Sequence, residues 1–282
     1  MTKKPFVLMA VCIAATVVLL AWGFAPGKPS ADAAGPSLAL IIESDTGAFL
    51  MQLRKGMSEA ADALGARLSI ISLPEEQPQA DALFLLVSDP ESWVRANNPT
   101  VPVVAIGEAA DGCLSVTMND EAALGALLRL AAEKSGGRPV LLVTDEGDAR
   151  SRARSRQAMA RADSANTRAV PYSDDLLWPE ECGAAVGLSA RATVALAALN
   201  PGGSHAVLGF DPGDSRVSLL ESGAADTLVL DKPYAMGYVA VQTAWQALHG
   251  QSPGSPAVES LLANADNMYL PENVKQVFPL LQ

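Results

Sequence analysis

Apolar and polar positions along the chain switch repeatedly between two patterns. SLALIIE (Ser37 to Glu43) is a continuous apolar run of strand length, and SDTG follows it as a turn. In AFLMQLRKGMSEAADALG, Phe49, Leu50, Leu53, Met57, Ala60, Ala61 and Leu64 recur at helical spacing, and Gly65 closes the run. RLSIISL is then a second strand. A strand, a helix and a strand in so short a span predict a parallel pair joined by a crossover helix.

The alternation continues to the C-terminus. ALFLLVSD is a strand ending in Ser88 and Asp89, a shortened helical region holds Trp93, and VPVVAIGE is another strand. NDEAALGALLRLAAEKSGG reads as a helix capped by Asn119 or Asp120 and stopped by glycines. RPVLLVTDEGD restarts the pattern, and ARSRARSRQAMARADSA is an arginine-rich helix. CGAAVGLS, VALAALN, HAVLGFD, DTLVLDKP and MGYVAVQTAWQALHG complete the second half. Continuous apolar strands flanked by helices mark sheets buried on both faces, so the fold class is α/β with parallel sheets. A break near Glu133 to Pro139 divides the chain into two lobes.

Residues 1–34 follow another rule. Lys3 and Lys4 precede the uncharged run FVLMAVCIAATVVLLAWGFA, and PGKPSADAAG follows it. This is an N-terminal hydrophobic helix serving as an export signal or a membrane anchor, with Ala31-Asp32-Ala33 as a small-x-small site before Ala34. Both readings stand, and either places the rest of the chain outside the cytoplasm. Cys12 lies in that run, which leaves Cys113 and Cys182 as small buried thiols or a disulfide pair.

Composition narrows the function more than the fold. The formal net charge is -11 and the basic residues are scattered, which excludes nucleic acid as a partner. Aromatics make up only 5%, so a pocket of stacked rings has few candidates. His205 and His249 lack metal-ligand spacing to any other His, Cys or acid and read as turn residues at the surface. There is no G-x-S-x-G elbow, no phosphate loop, no dinucleotide turn and no C-x-x-C pair. The turn DEGD (Asp145 to Asp148) is too short for a calcium loop. No catalytic residue, metal or cofactor is therefore expected, although paired carboxylates carry no linear motif and keep a hydrolase open.

In an open parallel sheet, ligands sit at the carboxyl ends of the strands. There the chain places Ser44, Asp45, Thr46 and Phe49, then Ser88 and Asp89, then Glu108. It goes on to Asp145, Arg152, Arg154 and Arg156, then Arg191, Asp211, Asp231 and Lys232. Acids and arginines so interleaved suit a polyhydroxylated molecule, since carboxylates accept from hydroxyl pairs and guanidinium groups donate in a planar fork. Taken singly, each acid reads equally as a helix cap or turn former, and Phe49 equally as core.

The order of these pieces resembles the type I periplasmic binding proteins, the sugar-binding group shared by ABC-transporter receptors and LacI-like regulators. Four stretches carry the likeness over roughly residues 37–282: ESDTGAFLMQLRKGMSEAADALG with Gly56, Ala61 and Gly65; VPVVAIGEAADGCLSVTMNDEAALGALLRLAAE; HAVLGFDPGDSRVSLLESGAADTLVLDKPYAMGYVAVQTAWQALHG; and MYLPENVKQV. The resemblance implies two α/β lobes joined by three crossings, with residues 35–120 and 232–260 in one lobe and 121–231 and 261–282 in the other. It implies ligand contacts from Phe49, Ser88 and Glu108 on one side, and from Arg154, Arg191, Asp211 and Asp231 on the other. The chain departs from the family pattern at Leu50, where a second aromatic is frequent, at Gly107-Glu108, and at Gln157, where the arginine helix usually has glycine.

The function so implied is an extracytoplasmic solute receptor that closes on a sugar-like or polyol-like molecule and hands it to an ABC permease. A membrane-anchored sensory or accessory module for a signalling partner is the alternative, and a carboxylate-dependent hydrolase is the reading from another class.

Overall fold

The computed structural model describes residues 35–43, 47–74, 77–147, 149–162 and 166–278. The N-terminal hydrophobic run, Cys12, Ser44 to Thr46 and Asp148 lie outside the described residues. Among the described residues no helix is long and apolar enough to cross a membrane.

The chain begins with β1 (Ser37–Ile42), α1 (Ala48–Leu64), β2 (Arg67–Ser72), β3 (Ala82–Leu86), α2 (Pro90–Asn97), β4 (Val103–Ile106) and β5 (Leu114–Met118). It continues with α3 (Asp120–Lys134), β6 (Val140–Thr144), α4 (Ala149–Arg161), β7 (Thr167–Pro171), β8 (Ala184–Gly187), α5 (Ala190–Ala198) and β9 (Ala206–Phe210). The last elements are α6 (Arg216–Glu221), β10 (Thr227–Leu230), α7 (Pro233–Leu248), β11 (Ala257–Val258), β12 (Leu261–Ala263) and α8 (Pro271–Val277).

These strands form two six-stranded sheets, ordered β11-β5-β4-β3-β1-β2 and β12-β10-β9-β8-β6-β7. Neighbours run parallel throughout except β10 and β12, which are antiparallel. Three segments cross between the sheets: β5 to α3, β10 to α7, and β11 to β12. Asn119 ties the first crossing to the third, because its amide N–H donates to Val258 O at 2.8 Å and its Nδ2 to Glu259 Oε1 at 2.8 Å. Its Oδ1 also accepts from Ala122 N–H at 3.2 Å, which starts α3.

Burial on both faces explains the unbroken apolar strands. Within β1, Leu38, Leu40 and Ile42 join Phe84, Val104, Leu53, Met57, Met236 and Ala240 on one face. Ala39 and Ile41 join Leu83, Leu85 and Val103 on the other. A fully buried side chain of this size contributes about 1.5–3 kcal/mol against the entropy of ordering the chain.

Two glycine contacts set the helices. A Cβ on Gly56 of α1 would stand 2.0 Å from Tyr234 O, and one on Gly237 of α7 would stand 2.2 Å from Leu53 O. The returning helix α7 therefore lies backbone to backbone on α1. In the second sheet, Gly187 and Gly209 are register partners beneath the fully buried Thr193, whose hydroxyl donates to Ser189 O at 2.8 Å. A Cβ on Gly209 would meet Thr193 Oγ1 at 2.1 Å, so α5 sits directly on the sheet and its first turn, with Arg191, lies at the strand ends.

Cys113 and Cys182 are free thiols, Cys182 fully buried. His205 differs from the expected surface turn. The segment before β8 folds back so that Trp178 stacks on its ring at 4.8 Å and closes over it, and its Nδ1 is buried. His249 is exposed and stays within its turn, with Nδ1 2.8 Å from Trp245 O.

Candidate functional site

Both sheets end their strands toward a common cleft, and the register decides which polar groups meet there. β1 and β3 finish together, with Ile42 opposite Leu86, so Glu43 and Ser88 leave the sheet side by side. Ser88 donates its N–H and its hydroxyl to the two Glu43 oxygens, each at 3.0 Å. One strand over, Gly107 turns the chain with φ at +93, a conformation that favours glycine, and delivers Glu108 to the same edge. A cavity of about 360 Å³ opens here, lined by Val87, Ser88, Ile106, Gly107 and Glu108 from the first sheet and by Gly147, Arg150 and Arg152 from the second. It is large enough for a monosaccharide-sized molecule, near the lower end of the range for ligand pockets.

The second wall of the cleft is a set of ion pairs. Arg150, in the first turn of α4, forks between two carboxylates. Its Nε and Nη2 donate to Asp120 at 2.7 and 2.7 Å, and its Nη1 and Nη2 to Asp231 at 2.6 and 2.9 Å. Arg154, one turn later, donates to the same Asp120 at 2.9 and 3.1 Å and lies over the Phe210 ring, 3.7 Å from its centroid. Burial opposes the charge of Arg150, but Asp231 and Asp120 outweigh it and raise its pKa. For Arg154, burial and then the neighbouring Arg150 pull the pKa down, and Asp120 offsets only part of this. Burial likewise works against the Asp120 carboxylate, and the two arginines together hold its pKa below the usual value.

Two further pairs extend this wall. Asp145, itself buried, accepts a bidentate pair from Arg191, with Nε at 2.6 Å and Nη2 on the other oxygen, and accepts Gly147 N–H at 2.8 Å. Arg191, then burial acting in opposition, then Ser189 set its pKa, and the balance lies far below the carboxylate range. The Arg191 guanidinium also lies over Tyr172, 4.8 Å from the ring centroid. Asp211 accepts Gly213 N–H at 2.9 Å and pairs with Arg216 at 3.1 Å, and Arg216 is itself anchored on Gly213 O and Gln276 O, each at 2.8 Å. Burial raises the Asp211 pKa; Arg216 counters it and the nearby Asp231 reinforces it.

Against the sequence expectations, Ser88 and Glu108 line the cavity, and Arg154 and Asp231 meet in one network behind it. Arg191 and Asp211 stand at strand ends of the second sheet, each in its own ion pair. Phe49 packs half-buried against the first core. Sequence reasoning missed Asp120, Arg150, Arg216 and Glu43 as partners. The available signal was the spacing of Arg150 and Arg154, four apart on one helical face, beside two acids that each follow a strand.

No protein-family profile and no curated protein matches the chain. Solved structures do match. An ABC transporter solute-binding protein from Agrobacterium vitis, bound with alpha-D-tagatopyranose, aligns at a TM-score of 0.69 and 18% identity over 85% of this chain and 98% of its own. GanP, a glucose-galactose binding protein from Geobacillus stearothermophilus, aligns at 0.69 and 18% identity over 84% of this chain and 99% of its own. A chain of a XylFII-LytSN complex aligns at 0.60 and 15% identity over 83% and 99%. The chain thus has the two-lobed fold of the type I periplasmic binding proteins, with parallel sheets and three crossings. At these identities the likeness is one of fold.

Proposed function

We propose that the chain is an extracytoplasmic solute receptor that captures a small sugar-like or polyol-like molecule by closure of the cleft and hands it to an ABC permease. The observation that carries this reading is the cavity of about 360 Å³ at the facing strand ends of two sheets joined by three crossings. Residues 35–120 with 232–260 would move as one body, and 121–231 with 261–282 as the other. Ser88, Glu108 and Arg152, which line the cavity, would meet the ligand, and Arg154, Asp211 and Asp231 would act behind them as the wall. Binding involves no covalent chemistry and no cofactor, and specificity comes from hydrogen bonds. The N-terminal hydrophobic run exports or tethers the protein.

The fold neighbours whose structures hold tagatose, arabinose, allitol or fucose support the ligand class. That one fold neighbour was solved in a XylFII-LytSN complex supports a second reading, a membrane-anchored sensory or accessory module that acts through a signalling partner. A thermal-shift screen of the full-length chain, in a sugar-free detergent, against hexoses, pentoses and polyols tests the first reading. A ligand at a hundredfold its Kd stabilises by about 2.7 kcal/mol. Absence of any shift across the panel would sink the solute-receptor reading.

A further inference from the structure

Arg150 differs from every other charged group in the cleft because it belongs to two structures at once. It lines the cavity, yet its partners are the residues at which two crossings leave the second sheet: Asp120 directly follows the first crossing, and Asp231 directly precedes the second. A guanidinium carries five N–H donors, and four of those on Arg150 are directed at these two carboxylates. The remaining Nη1 hydrogen is taken by neither carboxylate. Arg154 adds a second fork to Asp120 from beneath, so Asp120 is gripped by two turns of α4. The third crossing joins the same assembly through Asn119, adjacent in sequence to Asp120.

We propose that Arg150 is the positioning residue of the hinge: it fixes the roots of the first and second crossings on α4 and offers its remaining donor to whatever occupies the cavity. The coupling to an occupant rests on the receptor reading above, whereas the fixing of the crossings does not. An occupant that accepts from Nη1 competes for charge with Asp231 and so changes how firmly the second crossing is held. The ligand and the hinge then share one side chain, and no relay between separate sites is required.

Hydrogen exchange followed by mass spectrometry on the full-length chain, without ligand, tests this. Arg150→Gln is expected to speed exchange at residues 116–121 and 229–234 on the order of ten- to a hundredfold, the scale of a lost charged hydrogen bond, and to leave the β6 and β8 amides unchanged. Arg161→Gln, on the same helix but paired with the exposed Glu121, is the control. Asp231→Asn, which keeps the side-chain shape and the Asp120 fork, is expected to affect 229–234 alone, and it covers the case in which Arg150→Gln fails to fold. Arg150→Lys, able to reach one carboxylate at a time, is expected to fall between. The proposal is overturned if Asp231→Asn leaves 229–234 at the wild-type rate, if Arg150→Gln behaves as Arg161→Gln, or if exchange rises evenly through the second sheet. A sugar that stabilises the wild type is further expected to change exchange at 229–234 in wild type and not in Arg150→Gln; an equal change in both overturns the coupling. A panel without any stabilising sugar counts against the receptor reading alone, because the ligand-free measurement decides the role of Arg150.

Discussion

Set side by side, the cleft-facing strand ends of the first sheet hold Glu43, Ser88 and Glu108, whereas those of the second hold Asp145, Asp211 and Asp231, each met by an arginine. The two sheets share one strand order, with the second strand at the edge, then the first, third, fourth and fifth. The difference is in how charge is used. In the second sheet the carboxylates are paired with Arg191, Arg216 and Arg150, so their charge is already engaged within the wall. In the first, Glu43 is engaged through the hydroxyl and amide of Ser88, groups that exchange readily with a ligand or water. A matched topology has become one ion-paired wall, which still sends Arg152 to the cavity, and one receptive wall.

The sharpest way to break this contrast is Asp120→Ala. It strips both Arg150 and Arg154 of a partner, and removing one member of a buried pair costs about 3–5 kcal/mol. A urea-melt loss below about 1 kcal/mol would mean that the second wall is not held by its ion pairs. Next in size is a pair of identical changes with opposite signs. Gly56→Ala forces a Cβ against Tyr234 O and is expected to lower stability by about 1–3 kcal/mol. Gly125→Ala, in open space within α3, is expected to raise it by about 0.5–1 kcal/mol. Ser88→Ala, at an exposed site, is expected to change stability by less than about 1 kcal/mol while weakening capture of a stabilising sugar in the same thermal-shift measurement. If stability falls and capture does not, the receptive wall is structural after all.

The smallest effect is in pH. Asp145 has its folded pKa lowered by Arg191, so its contribution is complete above the ordinary value of 3.8 and is lost as pH falls through the depressed value. Asp211 has its folded pKa raised by burial, so its contribution is present below 3.8 and is lost as pH rises through the raised value. The melting-temperature deficit of Asp145→Asn relative to wild type should therefore shrink on acidification below about pH 4, whereas wild type should gain on Asp211→Asn above that interval, as pH falls through the raised value toward 3.8, and hold the gain below it. Parallel curves for the two variants would contradict the assignment.

Much of the scaffold was legible because burial on both faces demands unbroken apolar runs, as in LALII, LFLL, VVAI, VLLV and VLGF. β7 was not, since an edge strand carrying Arg168 and ending in Pro171 has no such run, nor were β11 and β12, which are two and three residues long. The strand-end polar groups were readable as positions, because a parallel sheet sends every carboxyl end to the same side. Their partners were not. Arg150 reaches Asp231 across 81 positions and Asp120 across 30, and nothing in the local pattern ranks it above Arg152 or Arg154. Asp211 was legible as a turn former, and the structure adds Arg216 as its charge partner.

The backbone contact between Gly56 and Tyr234 has a consequence for the order of assembly. Strands β6 to β10 are contiguous in sequence, so the second sheet has five of its six strands as soon as residue 230 emerges. The first sheet, although made earlier, must keep Leu53 and Met57 uncovered until α7 arrives almost 180 positions after Gly56. A chain crossing a membrane N-terminus first would thus have five strands of its later sheet in place before α7 covers its earlier one, and the interval is when a chaperone that grips apolar helices has its target.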